Sequence, residues 1–169
     1  MTIAILSTSV TMAQMNKPSD VSNETQTKTY TLYKNGEKVM NKVKIETSKS
    51  QAVMLDQDDK GNVNQDRIDP PTVVVKTVKI DNDTDDQFDE LIKFSYLTRT
   101  PSDFTLVSSE SNIMLAVEEG ENLTILEDRF ISKENMDFSQ RAYIYTTDDG
   151  QKLEFTVKSF ENMKPEQSK

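Results

Sequence analysis

Histidine, cysteine and tryptophan are all absent from the 169 residues, and each absence closes off chemistry. Without histidine there is no Ser-His-Asp or Cys-His nucleophile activation, and no side chain that ordinarily titrates between about pH 5 and 8. Without cysteine or histidine, zinc, haem and iron–sulfur clusters lose their nitrogen and sulfur ligands. Any bound metal then has to be a hard, oxygen-ligated cation such as calcium or magnesium. The lack of tryptophan removes the strongest platform for stacking on sugars or quaternary ammonium groups, with five tyrosines as a partial substitute. Basic residues are also scarce: 20 Lys and Arg stand against 29 Asp and Glu, a net charge of −9. That sign repels phosphate backbones, so nucleic acid is not an expected partner. No run approaches the roughly 18 consecutive apolar residues that would cross a bilayer as a helix, so no membrane span is expected.

What is present begins with an uncharged segment, Thr2 to Ala13, followed by the polar run QMNKPSDVSNETQT. The segment has the h-region and small-residue end of a secretory signal peptide, with Thr11 and Ala13 at the −3 and −1 positions of a cut before Gln14. A signal peptide opens with Lys or Arg, whereas the first positive side chain here is Lys17; a start codon set too far downstream accounts for the difference. Residues 1–13 are therefore expected to be a signal peptide and 14–27 a disordered linker, with the mature chain in the periplasm or outside the cell. No cysteine follows the segment to carry a lipid, and the oxidising compartment would contribute no disulfide. Asn23, Asn82 and Asn122 start Asn-x-Ser/Thr sequons, which chance explains in a chain this rich in Asn and Thr.

Strand signals dominate residues 28–160, the length of one domain. Thr29–Tyr33 and Val43–Thr47 flank Asn35-Gly36, the dipeptide that accepts positive φ at both central positions of a tight hairpin turn. Val73–Ile80 is too β-branched for a good helix, and Ile92, Phe94 and Tyr96 alternate with Lys93 and Ser95. Further strands are expected at Phe104–Val107, Ile113–Val117, Leu123–Leu126 and Arg129–Ile131. A last hairpin joins Arg141–Thr146 to Lys152–Lys158, with Leu153, Phe155 and Val157 on one face. About eight to nine short strands at roughly ten-residue spacing predict an all-β fold, a single antiparallel β-sandwich or small barrel. A competing local reading is a short helix over Asp85–Lys93, with Thr84 and Gln87 as a capping box. Residues 161–169 read as a flexible tail.

The densest chemistry lies between Asp81 and Glu90, where six carboxylates occur with no basic residue. Asp81, Asp83 and Asp85 have the alternate spacing with which a turning loop points oxygens at one cation, and Asp89 could complete the shell. The EF-hand pattern does not hold, since its sixth position is Asp86 rather than Gly and its twelfth is Ile92 rather than Glu. The plain alternative is a solvated acidic turn, because Asp and Asn are favoured in turns for backbone reasons. A second acidic turn, Asp56–Asn62, has a similar look.

Residues 28 to 49 carry six lysines against Glu37 and Glu46, and these are expected on the solvent face of an edge hairpin, where they also block aggregation. Docking of that basic hairpin on an anionic surface is the rival reading. Around Arg67, Asp66 and Asp69 supply local ion pairing. Paired carboxylates for glycoside hydrolysis would need a cleft, and a small domain without tryptophan is a poor sugar-cleaving enzyme.

These features together predict an exported, non-enzymatic β-domain with no cofactor and a binding or structural role in the cell envelope or secretome. An envelope or extracellular protein or glycan is its expected partner. The alternative is a calcium-binding, adhesion-type module whose ligands are Asp81, Asp83, Asp85 and Asp89.

Overall fold

A computed structural model of the chain describes residues 19–58, 60–83, 85, 87–99, 104–135, 142–147, 150 and 152–164. The expected signal segment lies outside them. Two long strands open the fold, β1 (Ser19–Lys34) and β2 (Glu37–Ala52), joined by Asn35 and Gly36 with φ of 53° and 84°. Both central residues of this turn thus have the positive φ that the Asn-Gly dipeptide predicts. A two-residue pair follows, β3 (Met54–Leu55) with β4 (Arg67–Ile68), then β5 (Thr72–Asp81), β6 (Glu90–Thr98) and β7 (Phe104–Ser108). The chain continues through β8 (Asn112–Glu119), β9 (Asn122–Ser132), a single 3₁₀ turn at Lys133–Asn135, β10 (Ala142–Thr146) and β11 (Lys152–Asn162).

Nine of these strands form one sheet in the order β10-β11-β6-β5-β2-β1-β9-β8-β7. All neighbours are antiparallel except β1 and β9, which meet in parallel at Thr29 and Asn122. The all-β class is as expected, but the sheet is curled and open, neither a two-sheet sandwich nor a closed barrel. A closed barrel would hydrogen-bond its two end strands to each other. Here one end strand, β7, is instead rolled against the inner face of β5 and β6. The Phe104 ring lies 4.5 Å from Tyr96, 5.9 Å from Phe94 and 5.7 Å from Phe155 between centroids. Every residue of β7 is buried, as are Ile113 to Ala116 of β8, so this hairpin is covered on both faces.

The alternation seen in the sequence decides which side chains line the interior. Val43 and Ile45 of β2, Val74, Val78 and Ile80 of β5, Ile92, Phe94 and Tyr96 of β6, and Phe155 and Val157 of β11 all point to the core. The helix expected over Asp85–Lys93 is overturned because Glu90 to Lys93 belong to β6, whose spacing of two places Ile92, Phe94 and Tyr96 on one face. Instead Asp89 N–H bonds to Ile80 C=O at 2.7 Å, β6 begins at Glu90, and Thr84 lies outside the described residues. On β11 the register shifts between Val157 and Ser159, so Phe160 rather than Ser159 continues the core row.

Three boundaries differ from expectation. Residues 19–27, expected in a disordered linker, belong to β1 and pair with β2 from Ser19↔Ala52 without a register break. Their own composition is polar, and cross-strand pairing supplies the order that burial does not. The two strands expected at 123–126 and 129–131 are one strand, β9, whose polar interruption is absorbed by bulges against β8. At the other end, residues 161–164 are not a loose tail, because β11 runs to Asn162 and Met163 N–H bonds to Asp89 C=O at 2.7 Å.

Phe104 sits where the two layers of the curl meet. Phe104→Ala is expected to cost about 3–5 kcal/mol, the range for emptying a large aromatic site in a packed core. Urea unfolding of the two proteins measures it, and an unchanged midpoint would show that β7 is not packed as described.

Candidate functional site

Asp81 ends β5 with its side chain nearly buried, 6% exposed, and the acidic loop follows it into solvent. The loop turns by a repeated local device. Asp81 Oδ1 accepts the Asp83 N–H at 3.2 Å, Asp83 Oδ1 accepts the Asp85 N–H at 2.9 Å, and Asp85 Oδ1 accepts the Gln87 N–H at 2.7 Å. Each carboxylate thus satisfies the backbone two residues on, the turn chemistry for which aspartate is favoured. Asp89 closes the loop, its Oδ2 accepting the Asn82 N–H at 2.6 Å.

Of the four expected ligands, Asp81, Asp83 and Asp89 come together, with one oxygen of each inside a 4.8 Å cluster. Asp85 does not join that set, but it shares their counter-ion. Lys164 Nζ lies 2.5 Å from Asp83 Oδ2 and 3.0 Å from Asp85 Oδ2, and it also bonds to Asp89 Oδ1. The ammonium therefore stands against three of the four carboxylates. Asp86 lies outside the described residues.

The charges respond as this geometry requires. The Lys164 ammonium holds the Asp83 carboxyl below the usual carboxylate range, helped by the Asp85 N–H. Burial pushes Asp81 up, opposed by its bond from the Asp83 N–H and reinforced by the neighbouring carboxylates Asp83, Asp89 and Asp85. Lys164 in turn is held well above the ordinary lysine value by Asp83, Asp89 and Asp85. Calcium takes six to eight oxygens, and the three clustered aspartates by themselves would supply only part of such a shell.

A second set of charges lies inside the curl. Lys76 of β5 is 4% exposed and its Nζ bonds to Glu118 Oε1 at 2.5 Å and to Phe104 C=O at 2.7 Å. Lys28 of β1, 7% exposed, reaches Gly120 C=O at 2.5 Å and Glu118 Oε2 at 3.8 Å. Nearby, Glu90 takes Lys133 Nζ at 2.7 Å and a bond from the Ser108 hydroxyl. Tyr30 donates to Ser108 C=O at 2.6 Å, and its phenol is raised above the ordinary value by burial and by Glu90.

Sequence reasoning missed these pairs. Lys28 was expected on the solvent face of the first hairpin, yet it points inward with Tyr30. Parity carried the signal: Lys28 shares a face with Tyr30, and Lys76 with Val74, Val78 and Ile80. Lys164 carried no such signal, because it follows the strand and its partners lie some eighty residues earlier in the chain. No family model, curated protein or solved structure matches the chain.

The Lys164 contact makes a measurable difference to the loop. Because the folded Asp83 value is depressed, its contribution is present above the unfolded value and is lost as pH falls through the folded one. In Lys164→Met the Asp83 carboxyl is expected to titrate at higher pH than in the unaltered protein. Carboxyl-detected NMR titration reads the midpoint directly, and an unmoved Asp83 midpoint would dismiss Lys164 as the cause.

Proposed function

We propose that this chain is an exported, non-enzymatic β-domain that acts by binding, or as a structural component, in the cell envelope or secretome. The observation that carries the reading is where the interior's ionisable side chains go. Lys28, Lys76 and Glu118 are engaged with one another and with backbone carbonyls, and Glu90 is engaged with Lys133 and Ser108. Acids and bases spent in this way hold strands together, which is scaffold chemistry. The apolar, uncharged Thr2–Ala13 segment supports export. Among the described residues no helix is long and apolar enough to cross a membrane.

Export is tested by sequencing the N-terminus of the protein recovered from fractionated cells. A mature end at or near Gln14 in the envelope or medium is expected, and an intact Met1 end in the cytoplasm overturns it.

A second reading, the calcium-dependent adhesion module, is favoured by one observation, the convergence of Asp81, Asp83 and Asp89 within 4.8 Å. Calcium would have to displace the Lys164 ammonium from Asp83 and Asp89. A native-state ligand at a hundred times its Kd stabilises by about 2.7 kcal/mol, so calcium should raise the melting midpoint over that in chelator by several degrees. The rise should vanish in Asp83→Ala. Identical midpoints with calcium and with chelator would remove this reading.

A further inference from the structure

Among the described residues, the curl leaves about half of β1 with β2 as its one neighbour. β1 pairs with β2 along its whole length, while on its other side the described residues make one bridge, Thr29 to Asn122. From there β9 departs, carrying Phe130 to within 5.6 Å of Phe155 and 5.9 Å of Tyr145 between ring centroids. Residues Ser19 to Thr27 extend past the bridge, and among the described residues no strand pairs with their outer edge.

The bridge also sets the phase of that edge. Thr29 N–H bonds to Glu121 C=O at 3.1 Å, so the odd-numbered positions of β1 direct their backbone groups away from β2. The β1–β2 register is unbroken, so Ser19, Val21, Asn23, Thr25 and Thr27 direct their N–H and C=O groups the same way. Nine residues span about 30 Å of such edge at ~3.3 Å per residue. Exposed edges are ordinarily blunted by charged side chains, lysine above all, by proline or by a bulge. Between Ser19 and Thr27 there is no lysine, proline or bulge, and the charges are the two acids Asp20 and Glu24.

The side chains add selectivity. Asp20 and Glu24 share the face of Tyr30 and are the only charged residues of the nine. On the opposite face stand Val21, Asn23, Thr25 and Thr27. Beside Asp20 a groove of about 240 Å³ is lined by Val21, Ser22, Lys49, Gln51 and Thr72. Arg67 lies 3.9 Å from Asp20 between two well-exposed side chains, a weak pairing. A second copy placed on this edge would bring Asp20 and Glu24 against their own likenesses, and like charges across neighbouring strands are destabilising.

We propose that the Ser19–Thr27 edge is a strand-addition site for an extended polypeptide segment of alternating basic and β-branched residues. Its backbone would complete the ladder of the odd positions. Its basic side chains would lie beside Asp20 and Glu24, at the ~5 Å spacing of cross-strand neighbours. The inference deepens the binding reading above and rests on it for its biological sense.

The probe is a nine-residue peptide alternating lysine and threonine, blocked at both ends, compared with its glutamate–threonine counterpart. Titration of the full chain followed by amide hydrogen exchange should show new protection at residues 19, 21, 23, 25 and 27. The even-numbered amides, already bonded to β2, should not change. Thr25→Pro removes one outward N–H without touching the β2 ladder, so it should weaken the lysine peptide at least tenfold while leaving the melting midpoint nearly unchanged. If that variant does not fold, Asp20→Lys with Glu24→Lys serves instead, and it should reverse the preference between the two peptides. Binding that ignores both variants, or that leaves the odd amides unprotected, overturns the proposal. So does protection of those amides in the chain alone, which assigns the edge to its own residues, or a dimer that Thr25→Pro dissociates, which assigns it to a second copy. Crosslinking in the native envelope separates the two levels. Partners held equally by the unaltered protein and by Thr25→Pro remove this edge but keep the binding reading, while no partner for either removes both.

Discussion

A strand buried on both faces, with no strand beside one of its edges among the described residues, still has to satisfy its backbone. That constraint, imposed by β7, organises the interior. Buried carbonyls without partners are costly, and β7 meets the cost with side chains. Lys76 bonds to Phe104 C=O at one end, and Tyr30 bonds to Ser108 C=O at the other. An ammonium brought inside needs a counter-charge, which Glu118 of β8 supplies, and Glu118 also faces Lys28 of β1. One requirement of one strand therefore ties β1, β5, β7 and β8 together. Desolvation offsets much of the attraction in such pairs, so they define geometry more than they add stability. Stability comes from the aromatic cluster of Phe94, Tyr96, Phe104 and Phe155 that the same placement brings into contact.

The curl also decides what is left outside. β9 cannot both follow β1 and carry Phe130 to the aromatic rings of β10 and β11. It does the second, and among the described residues the first half of β1 has one neighbour in place of two. At the opposite end of the sheet's inner face, the acidic loop is held by its own carboxylates and by Lys164, which follows the last strand. The acidic loop thus has a built-in counter-ion, whereas Asp20 on the strand edge has the weaker contact with Arg67.

Much of the secondary structure was legible because its causes are local. Asn35-Gly36 announces its turn, Ile92-Lys93-Phe94-Ser95-Tyr96 announces a half-buried strand, and Leu153, Phe155 and Val157 announce the face of β11. The strand at 19–27 was not legible, since a polar segment acquires order only from the β2 residues that pair with it. In the candidate site, carboxylate density singled out Asp81, Asp83 and Asp89, which the fold brings together, but nothing near them named Lys164.

By itself the sequence determined the all-β class, the turns and most of the inward-facing side chains, because strand alternation and positive φ are properties of a few adjacent residues. Tertiary structure alone decided that the sheet curls without closing. It also decided that Lys28 and Lys76 go inside, and that a lysine near the end of the chain answers the acidic loop. Those outcomes join residues far apart in the chain, 92 positions in the case of Lys28 and Gly120. Contacts of that range depend on where the whole sheet places its strands, which no short window of residue types encodes.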